Sequence, residues 1–502
     1  MKYIHKHHFL ALFSGAVCVF GFAPFGVFVL PVLALAMLFA LWQLAATPRM
    51  AAQHGFFFGL GLFSAGVSWI YVSLHDFGEM PMLLAMGATL AFAAFLALFT
   101  ALAGYAQARF PLSPRLRLFW VMPVAWVGIE WLRGMIMTGF PWLTLGYAHA
   151  ESPLSGYAPL LGVYGVSLVA AISAACLVRL GQLLYARTFS AAAIPLIIML
   201  VLWGGGAALQ RINWTQPEGA PFTVALAQGN IAQDRKFRDD ELVSTLETYR
   251  RLVLESSARL IILPESAFPI FRLETPENLV LQLRDHAREN HGDVLIGAFD
   301  EDRLGYYNSV FSLGTASEQH YHKQHLVVFG EFIPLRPVFG WLINDVLHIP
   351  MGDLTSGRDD QPPLAVAGQR VAVSICYEDV FGEEIIRALP QATLLVNVTN
   401  DGWFGHSPAA AQHHQMSQFR ALETGRMMLR ATNTGMTSII DTHGHVLQQI
   451  PQHQVGMLQG VAQGYQGTTP YVRWGNVTVW GLFITMLLIA TGLARREKSQ
   501  NL

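Results

Sequence analysis

Long apolar segments separated by short polar connections fill the first 210 residues of the chain. A helix that crosses a bilayer needs about 20 predominantly apolar residues. The pattern predicts seven such helices in this region and an eighth near the C-terminus. Their expected ranges are 8–24, 26–46, 55–75, 82–107, 118–138, 157–182, 191–209 and 476–494. The first segment could instead be a signal peptide, but no small-x-small cleavage site precedes a soluble domain, which favours a retained helix.

Lysine and arginine are distributed unevenly over the connections between these predicted helices. They occur at alternate connections and at both termini: Lys2, Lys6, Arg49, Arg109, Arg115, Arg117, Arg179, Arg187, Arg495, Arg496 and Lys498. Intervening connections such as APFG and HDFGEMP contain neither residue. Because basic connections stay in the cytoplasm, we expect both termini there and residues 211–474 on the other side of the membrane.

Residues 211–474 have a different pattern, in which short apolar runs are bounded by Gly, Pro and Asp. This pattern is typical of a soluble α/β domain. The expected strands cover 222–230, 260–268, 293–300, 307–313, 371–379, 394–401 and 437–444. Charged segments such as DDELVSTLETYRRLVLESS and ENLVLQLRDHAREN are expected to be helices. We therefore predict a transmembrane domain at 1–210, a soluble domain at 211–474, and a C-terminal transmembrane helix with a cytoplasmic tail at 475–502.

The composition agrees with a membrane protein, since 53% of the residues are hydrophobic and only 13% are charged. The formal net charge of −2 provides no basic field for nucleic acid, so we expect no nucleic-acid partner. Two of the three cysteines, Cys18 and Cys176, lie in apolar runs, and the third is Cys376. This distribution does not support a disulfide framework.

Several of the predicted strands end in the same way, with an apolar run followed at once by a polar residue. Gln228, Glu265, Cys376 and Asn400 each stand where an apolar run stops. Ligands of open α/β sheets bind beyond the carboxyl ends of the strands. Each residue alone could be an ordinary turn residue, but the set predicts convergence on one site.

Cys376 closes the run VAVSI and is the cysteine of the soluble segment. Such a cysteine suits a nucleophile, and a buried inert thiol is the alternative. An ordinary thiol, with a pKa of about 8.5, is a poor proton donor to a carboxylate with a pKa of about 4.3. A nearby cation and a partly desolvated carboxylate would narrow that gap. Glu265, after LIIL and Pro264, and Lys323, in YHKQHLVVFGEFIP, are the candidates, although Lys323 could be a solvated surface residue.

Histidines around Lys323 raise the question of a metal site. They are His320, His322, His325 and His348. They lack a spaced second cluster of carboxylate or thiolate ligands, so we expect neither a metal nor another cofactor. The pair His413 and His414 is expected on a helix surface or lining a pocket.

Three ordered motifs carry a family resemblance. Glu265 in LPESAF, Lys323 in HKQHLVVFGEFIP and Cys376 in ICYED resemble the Glu-Lys-Cys triad of the nitrilase, or carbon-nitrogen hydrolase, superfamily. The segments NVTNDGWFG and RALETGRMMLRATNTGMTSIID resemble those that flank its active site. With the surrounding helices and the motifs GFAPFG and TGFPWL, the pattern resembles the apolipoprotein N-acyltransferase family over nearly the whole chain.

The resemblance implies a nitrilase-like αββα sandwich and a ping-pong acyl transfer. Glu265 would accept the thiol proton while Cys376 attacks a phospholipid ester, and a thioester would result. The α-amine of a diacylglyceryl-cysteine apolipoprotein would then accept the acyl chain. Lys323 and the backbone amide after Cys376 would stabilise each oxyanion. The implied location is the bacterial inner membrane, as a multi-pass protein with its catalytic domain in the periplasm.

The resemblance also implies supporting residues around this triad. Glu331 is similar to a second glutamate that orients the lysine, and Tyr377, Glu378 and Trp403 are similar to residues of the pocket wall. The family often carries a tryptophan after the motif VALAQGNIAQ, whereas the nearest aromatic residue here is Phe237. The role of Phe237 in holding lipid is therefore left open.

Two further apolar contexts suggest contact with lipid. The segment RPVFGWLINDVLHIPMGDL, which contains Trp341, is too short to span a bilayer but suits an arm that rests on one; a buried loop is the alternative. Glu130 and Arg133 fall inside the fifth predicted helix. Because charges are costly in hydrocarbon, we expect them to face a cavity or to pair.

Two other functions compete with acyl transfer. A membrane-tethered nitrilase-type amidohydrolase would use the same triad with water, but it has no evident use for eight spans and an apolar arm. A non-catalytic membrane assembly factor with a decayed domain would not need Glu265, Lys323 and Cys376 together.

Overall fold

The computed structural model describes residues 2–333 and 353–500, which form two compact units. The first, here called the helical unit, contains the chain up to Tyr71, Pro81–Ile212 and the chain from Arg473 onward. The second, here called the sheet unit, contains Val72–Met80 and Asn213–Val472. The short segment Val72–Met80 thus belongs to the sheet unit although helices flank it in sequence.

The helical unit is built from α-helices because an apolar chain in lipid must satisfy its backbone polar groups within each segment. The helices are α1 (Lys2–Cys18), α2 (Val29–Leu44), α3 (Pro48–Gly66), α4 (Met82–Arg109), α5 (Met122–Arg133), α6 (Ala158–Tyr185), α7 (Phe189–Leu209) and the C-terminal helix Val477–Gln500. Short 3₁₀ or π turns precede α5 and α6, at Arg117–Val121 and Pro153–Tyr157.

Four helices in the described residues are long and apolar enough to cross a membrane. They are Met82–Arg109, Pro153–Tyr185, Phe189–Leu209 and Val477–Glu497. The pair Pro48–Gly66 and Ile70–Phe77, bent by 57°, would add a fifth if it forms one broken span. The apolar helix Val29–Leu44 is shorter. Several apolar helices are therefore confirmed, and the number of eight spans stays a prediction.

Glu130 and Arg133 of α5 are buried and hold the irregular chain that follows this helix. The Arg133 guanidinium donates to the main-chain oxygens of Phe140 and Trp142. The Glu130 carboxylate accepts the main-chain N–H of Leu145 at 2.8 Å. Burying the charges of Glu130 and Arg133 is costly, but these side chains form hydrogen bonds with main-chain groups of the non-helical segment that no water would satisfy in an apolar environment.

In its described residues the sheet unit contains two six-stranded sheets, with the orders β12-β1-β2-β3-β4-β5 and β11-β10-β9-β8-β7-β6. The strands are β1 (Thr215–Gln228), β2 (Leu260–Ile262), β3 (Asp293–Asp302), β4 (Gly305–Gly314), β5 (His320–His322), β6 (Leu364–Val366), β7 (Gln369–Ile375), β8 (Leu394–Thr399), β9 (Met428–Thr432), β10 (Thr437–Ile440), β11 (Val446–Ile450) and β12 (Gly456–Gly467). The central strands are parallel in both sheets: β1, β2 and β3 in one, β7, β8 and β9 in the other.

The two sheets pack face to face through apolar side chains such as Val224, Leu226, Val373 and Val396. The helices α8 (Asp239–Leu254) and α9 (Glu277–Glu289) cover the outer face of the first sheet, and α10 (Ala409–Thr424) lies on the second. The expected αββα sandwich is confirmed. All seven predicted strands have counterparts, whereas β5, β6, β9, β11 and β12 were not predicted.

A buried ion cluster ties α10 to the second sheet. The Arg430 guanidinium on β9 donates to Asp379 at 3.0 Å and to Asp401 at 3.2 Å. The His413 ring on α10 lies between the same two carboxylates, at 2.8 Å and 3.0 Å. Burial lowers the pKa of His413, but both carboxylates raise it and its net pKa is above the usual value. Because His413 is buried in this cluster and His414 is also buried, their expected placement on a helix surface is wrong.

We predict that Arg430→Met destabilises the protein by about 3–5 kcal/mol, because it leaves two buried carboxylates with only one cation. Arg358→Met is the matched control, since the side chain of Arg358 is 81% exposed in its ion pair with Asp360. The control should change stability by less than about 0.5 kcal/mol. Thermal unfolding of the detergent-purified protein measures both, and equal midpoints for the two variants would contradict the role of the cluster.

Candidate active site

Cys376 lies directly after β7, where the chain turns from the strand into a 3₁₀ turn over Cys376–Val380. Its φ of 54° is in the left-handed region, which is uncommon for a residue with a side chain. The amide of Asn397, on the neighbouring strand β8, donates to the main-chain oxygen of Cys376 at 3.2 Å. The parallel pairing of β7 and β8 therefore fixes the turn that presents the thiol.

Glu265 lies in the loop after β2, and only 8% of it is exposed. One carboxylate oxygen accepts the side-chain amide of Asn308 at 2.7 Å, and the other accepts the main-chain N–H of Asn400 at 2.8 Å. The loop lies close to Gly297 of β3, where a Cβ would come within 2.3 Å of the Pro264 oxygen. Both sheets thus hold this carboxylate in one orientation.

Lys323 follows β5 and is 1% exposed. Its ammonium lies 2.9 Å from Glu331 Oε1 and 3.8 Å from Glu265 Oε1. The Asn308 amide also contacts Glu331 Oε1, at 3.2 Å, and the other Glu331 oxygen accepts the main-chain N–H of Val327 at 2.8 Å. Glu331 is therefore the nearer carboxylate of Lys323, and Glu265 is a second carboxylate within 4 Å of its ammonium.

The charges of Glu265 and Lys323 change the pKa of the Cys376 thiol. Burial raises the pKa of Cys376 well above its usual range, Glu265 raises it further, and Lys323 opposes the shift. Burial alone would lower the pKa of Lys323, but Glu331 and Glu265 raise it to a net value above the usual one. The resting site therefore holds a neutral thiol beside an ammonium and a carboxylate. A thiol in this state is nucleophilic only after it loses its proton, and Glu265 is a carboxylate whose charge acts on it.

Glu378 connects the turn at Cys376 to the loop that follows Lys323. Its carboxylate accepts main-chain N–H groups of Ile375 and Gln324, each at 2.6 Å, and of His325 at 3.1 Å. It also accepts the Tyr321 hydroxyl at 3.0 Å. Burial raises the pKa of Glu378 to about 7, and the bond from Ile375 opposes this shift. The structure thus places Glu378 as a buried link between the two loops.

The aromatic candidates lie at more open positions. Tyr377 is half-buried, with its ring 5.2 Å from that of Phe381. Trp403 is 43% exposed; its carbonyl accepts the Ser73 hydroxyl at 2.8 Å, and its ring lies 6.2 Å from Phe77. The segment Val72–Met80 therefore packs against the loop that carries Trp403.

The remaining candidates either form no hydrogen bond with the triad side chains in the described chain or lie outside it, although the Phe237 ring lies 5.9 Å from the ammonium of Lys236. Phe237 is 52% exposed, with its ring 6.3 Å from that of Phe299. Gln228 is buried and donates to the main-chain oxygens of Pro451 and Gln454, so it stabilises the loop before β12. Trp341 and most of the predicted apolar arm lie outside the described residues.

The prediction from strand ends missed Asn308, which contacts both Glu265 and Glu331. Asn308 lies within β4, so no strand end marks it. The available signal was an amide side chain inside the apolar strand YNSVFSL, because a buried amide requires partners. Within the described part of the chain, no group of three or more His, Cys, Asp or Glu side chains is arranged to hold a metal ion.

Family models match both parts of the chain. Residues 14–176 match the model described as apolipoprotein N-acyltransferase N-terminal domain, and residues 223–463 match the carbon-nitrogen hydrolase model. The second match contains Glu265, Lys323 and Cys376, and the first contains most of the helical unit.

Relatives that match nearly the whole chain share one name. Apolipoprotein N-acyltransferase of Nitrosomonas europaea is 52% identical over 96% of this chain and 96% of its own length. The proteins of that name from Methylococcus capsulatus and Ralstonia nicotianae are 42% and 43% identical. They cover 99% and 98% of this chain, and 98% and 94% of their own lengths. The chain belongs to the apolipoprotein N-acyltransferase family.

Proposed function

We propose that this protein transfers a fatty acyl group from a phospholipid to the N-terminal amine of a diacylglyceryl-cysteine apolipoprotein. The observation that carries the proposal is the buried cluster in which Lys323 lies 3.8 Å from Glu265 and both act electrostatically on Cys376. Membership of the acyltransferase family favours an amine acceptor over the water used by an amidohydrolase.

In the first half-reaction, Cys376 Sγ attacks the carbonyl carbon of a phospholipid ester while Glu265 accepts the thiol proton. The resulting oxyanion is stabilised by the Lys323 ammonium and the main-chain N–H of Tyr377. Collapse of the tetrahedral intermediate breaks the carbon–oxygen bond, and the lysophospholipid alkoxide takes the proton from Glu265. The acyl chain remains on Cys376 as a thioester.

In the second half-reaction, the α-amine of the apolipoprotein attacks the thioester carbonyl and passes a proton to Glu265. The same cationic and main-chain groups stabilise the second oxyanion. Breakage of the carbon–sulfur bond releases the N-acylated product, and the thiolate of Cys376 recovers its proton from Glu265. Glu331 keeps Lys323 in place through both steps, since their 2.9 Å contact is made by groups that do not react.

We further propose that the protein lies in the inner membrane, with residues 1–210 as its transmembrane domain and residues 475–502 as a C-terminal transmembrane helix and cytoplasmic tail. Residues 211–474 form the catalytic domain and face the periplasm. The support is the one-sided distribution of lysine and arginine over the connections, together with the apolar helices. This arrangement brings the thiol to the side of the membrane where secreted apolipoproteins expose their N-termini.

The covalent mechanism predicts that phospholipid alone, without an acceptor, leaves a hydroxylamine-labile acyl group on Cys376, because the first half-reaction needs only the donor. Cys376→Ser and Glu265→Gln should form no such adduct on the same time scale. Lys323→Met should slow its formation by about 10²–10³-fold, the usual cost of losing an oxyanion-stabilising group. Intact-protein mass spectrometry of the reconstituted enzyme measures each case.

Cys176→Ser is the control, since Cys176 lies buried in α6 of the helical unit and should not affect the adduct. Acylation of an acceptor amine without an adduct on Cys376 would contradict the covalent mechanism. An adduct that water discharges as fast as an amine does would favour the amidohydrolase.

The topology predicts that a reporter inserted at Leu304 is active in the periplasm. Leu304 is 81% exposed in the turn between β3 and β4, so an insertion there spares both strands. A reporter at Arg187, between α6 and α7, is the control and should be active in the cytoplasm. Alkaline phosphatase and green fluorescent protein fusions distinguish the two compartments, and phosphatase activity at Arg187 but not at Leu304 would reverse the topology.

A further inference from the structure

Lys236 is a buried cation to which the transfer described above assigns no role. It lies in the charged run DRKFRDD, which reads as surface sequence, yet only 1% of it is exposed. Its ammonium donates to the main-chain oxygen of Glu265, 2.9 Å away. Lysine is almost never fully buried without a charged partner, so the location of its compensating charge is informative.

No carboxylate of the described residues forms an ion pair with Lys236 within 4.0 Å. The charged groups that act on it belong to the reaction centre. Burial lowers the pKa of Lys236 to about 8, while Glu265 and the thiolate form of Cys376 raise it. At rest the negative charge that compensates Lys236 is therefore that of Glu265, and the thiolate of Cys376 adds to it when the thiol loses its proton.

The charges around the thiol can be counted. Glu331 and Glu265 contribute two negative charges, and Lys323 contributes one positive charge that its 2.9 Å contact directs mainly to Glu331. Without another cation the buried centre would have a net negative charge, which opposes a thiolate or an oxyanion in a medium of low dielectric constant. The Lys236 ammonium is a second positive charge, and together with Lys323 it balances Glu265 and Glu331. Two further buried carboxylates are nearby: Asp401, which is paired with Arg430, and Glu378, whose oxygens accept main-chain N–H groups.

We propose that Lys236 is a positioning residue of the acyl transfer that holds the Glu265 loop and supplies the second positive charge of the reaction centre. Its hydrogen bond to Glu265 lies next to Ser266, whose φ of 46° is unfavourable for a residue with a side chain. Its charge offsets that of the Glu265 carboxylate while negative charge develops on sulfur and on the substrate oxygen. The charge on the substrate oxygen develops only in the proposed acyl transfer, so this part of the inference rests on the proposed function.

Two substitutions separate the hydrogen bond from the charge. Lys236→Gln retains an N–H donor that can reach a main-chain oxygen but removes the charge, whereas Lys236→Met removes both. If Lys236 acted only through its hydrogen bond to Glu265, Lys236→Gln would leave the reactivity of Cys376 nearly unchanged. Arg235→Gln is the matched control, because it removes a neighbouring positive charge from a side chain that is 52% exposed in its ion pair with Glu241.

The experiment measures two rates in the full-length reconstituted protein. One is alkylation of Cys376 by iodoacetamide, followed on the Cys376 peptide by mass spectrometry. The other is formation of the acyl adduct from vesicles of phosphatidylethanolamine and phosphatidylglycerol. Lys236→Gln should lower both rates by about tenfold or more, since each unit of thiol pKa changes the thiolate fraction tenfold. Arg235→Gln should match the wild type in both rates.

Wild-type rates in Lys236→Gln would overturn the inference, because only the hydrogen bond would then matter. If Lys236→Met fails to fold, as judged by its thermal unfolding midpoint, the Gln variant alone decides the question. A wild-type protein that alkylates at Cys376 but forms no acyl adduct would refute the proposed transfer. In that case the alkylation rate of Lys236→Gln, compared with that of the wild type, would still decide whether Lys236 acts through its charge.

Discussion

The buried ammonium of Lys323, held between Glu331 and Glu265, is the interaction on which the rest of the site depends. Removing an ammonium from water costs several kcal/mol, and only close carboxylates with their own hydrogen bonds compensate for this cost. Glu331 provides the nearer contact, at 2.9 Å, and its second oxygen is held by the Val327 amide. Glu265 provides the second charge at 3.8 Å and still has its carboxylate oriented by Asn308 and Asn400.

The fold supplies these groups from both sheets. Glu265, Asn308 and Lys323 come from the first sheet, whereas Cys376 and Asn400 follow neighbouring parallel strands of the second. Two sheets packed through an apolar core thus bring their strand ends to one location. Glu378 joins the loop after Lys323 to the end of β7, at Ile375, through three main-chain hydrogen bonds. The distance between thiol and ammonium therefore depends on a few buried carboxylates rather than on exposed side chains.

The sequence predicted the parts of this arrangement that have a local signal. The helices α8 and α9 were predictable from their charged, periodic faces, and β2 and β7 from apolar runs that stop at Glu265 and Cys376. The predicted runs at 260–268 and 371–379 extended too far because the strands end at Ile262 and Ile375, where the turns that carry the polar groups begin.

Other parts of the structure depend on tertiary contacts that no local pattern encodes. β12 is rich in glycine and glutamine and becomes a strand by pairing with β1 along most of its length. Lys236 and His413 sit in polar sequence typical of a surface, yet both are buried because their charges are compensated by residues distant in the chain. Asn308 lies within β4, where the only local signal is an amide among apolar residues, and its partners Glu265 and Glu331 are distant in sequence.

The central claim is that the acyl chain passes through Cys376 on its way to an amine. A single-turnover pulse–chase measures this most directly: enzyme loaded with radiolabelled acyl chain is separated from phospholipid and mixed with a synthetic diacylglyceryl lipopeptide. The account predicts that label leaves Cys376 at the rate at which it appears on the lipopeptide amine, in equal amount. Label that stays on Cys376 while fresh phospholipid acylates the lipopeptide would contradict it.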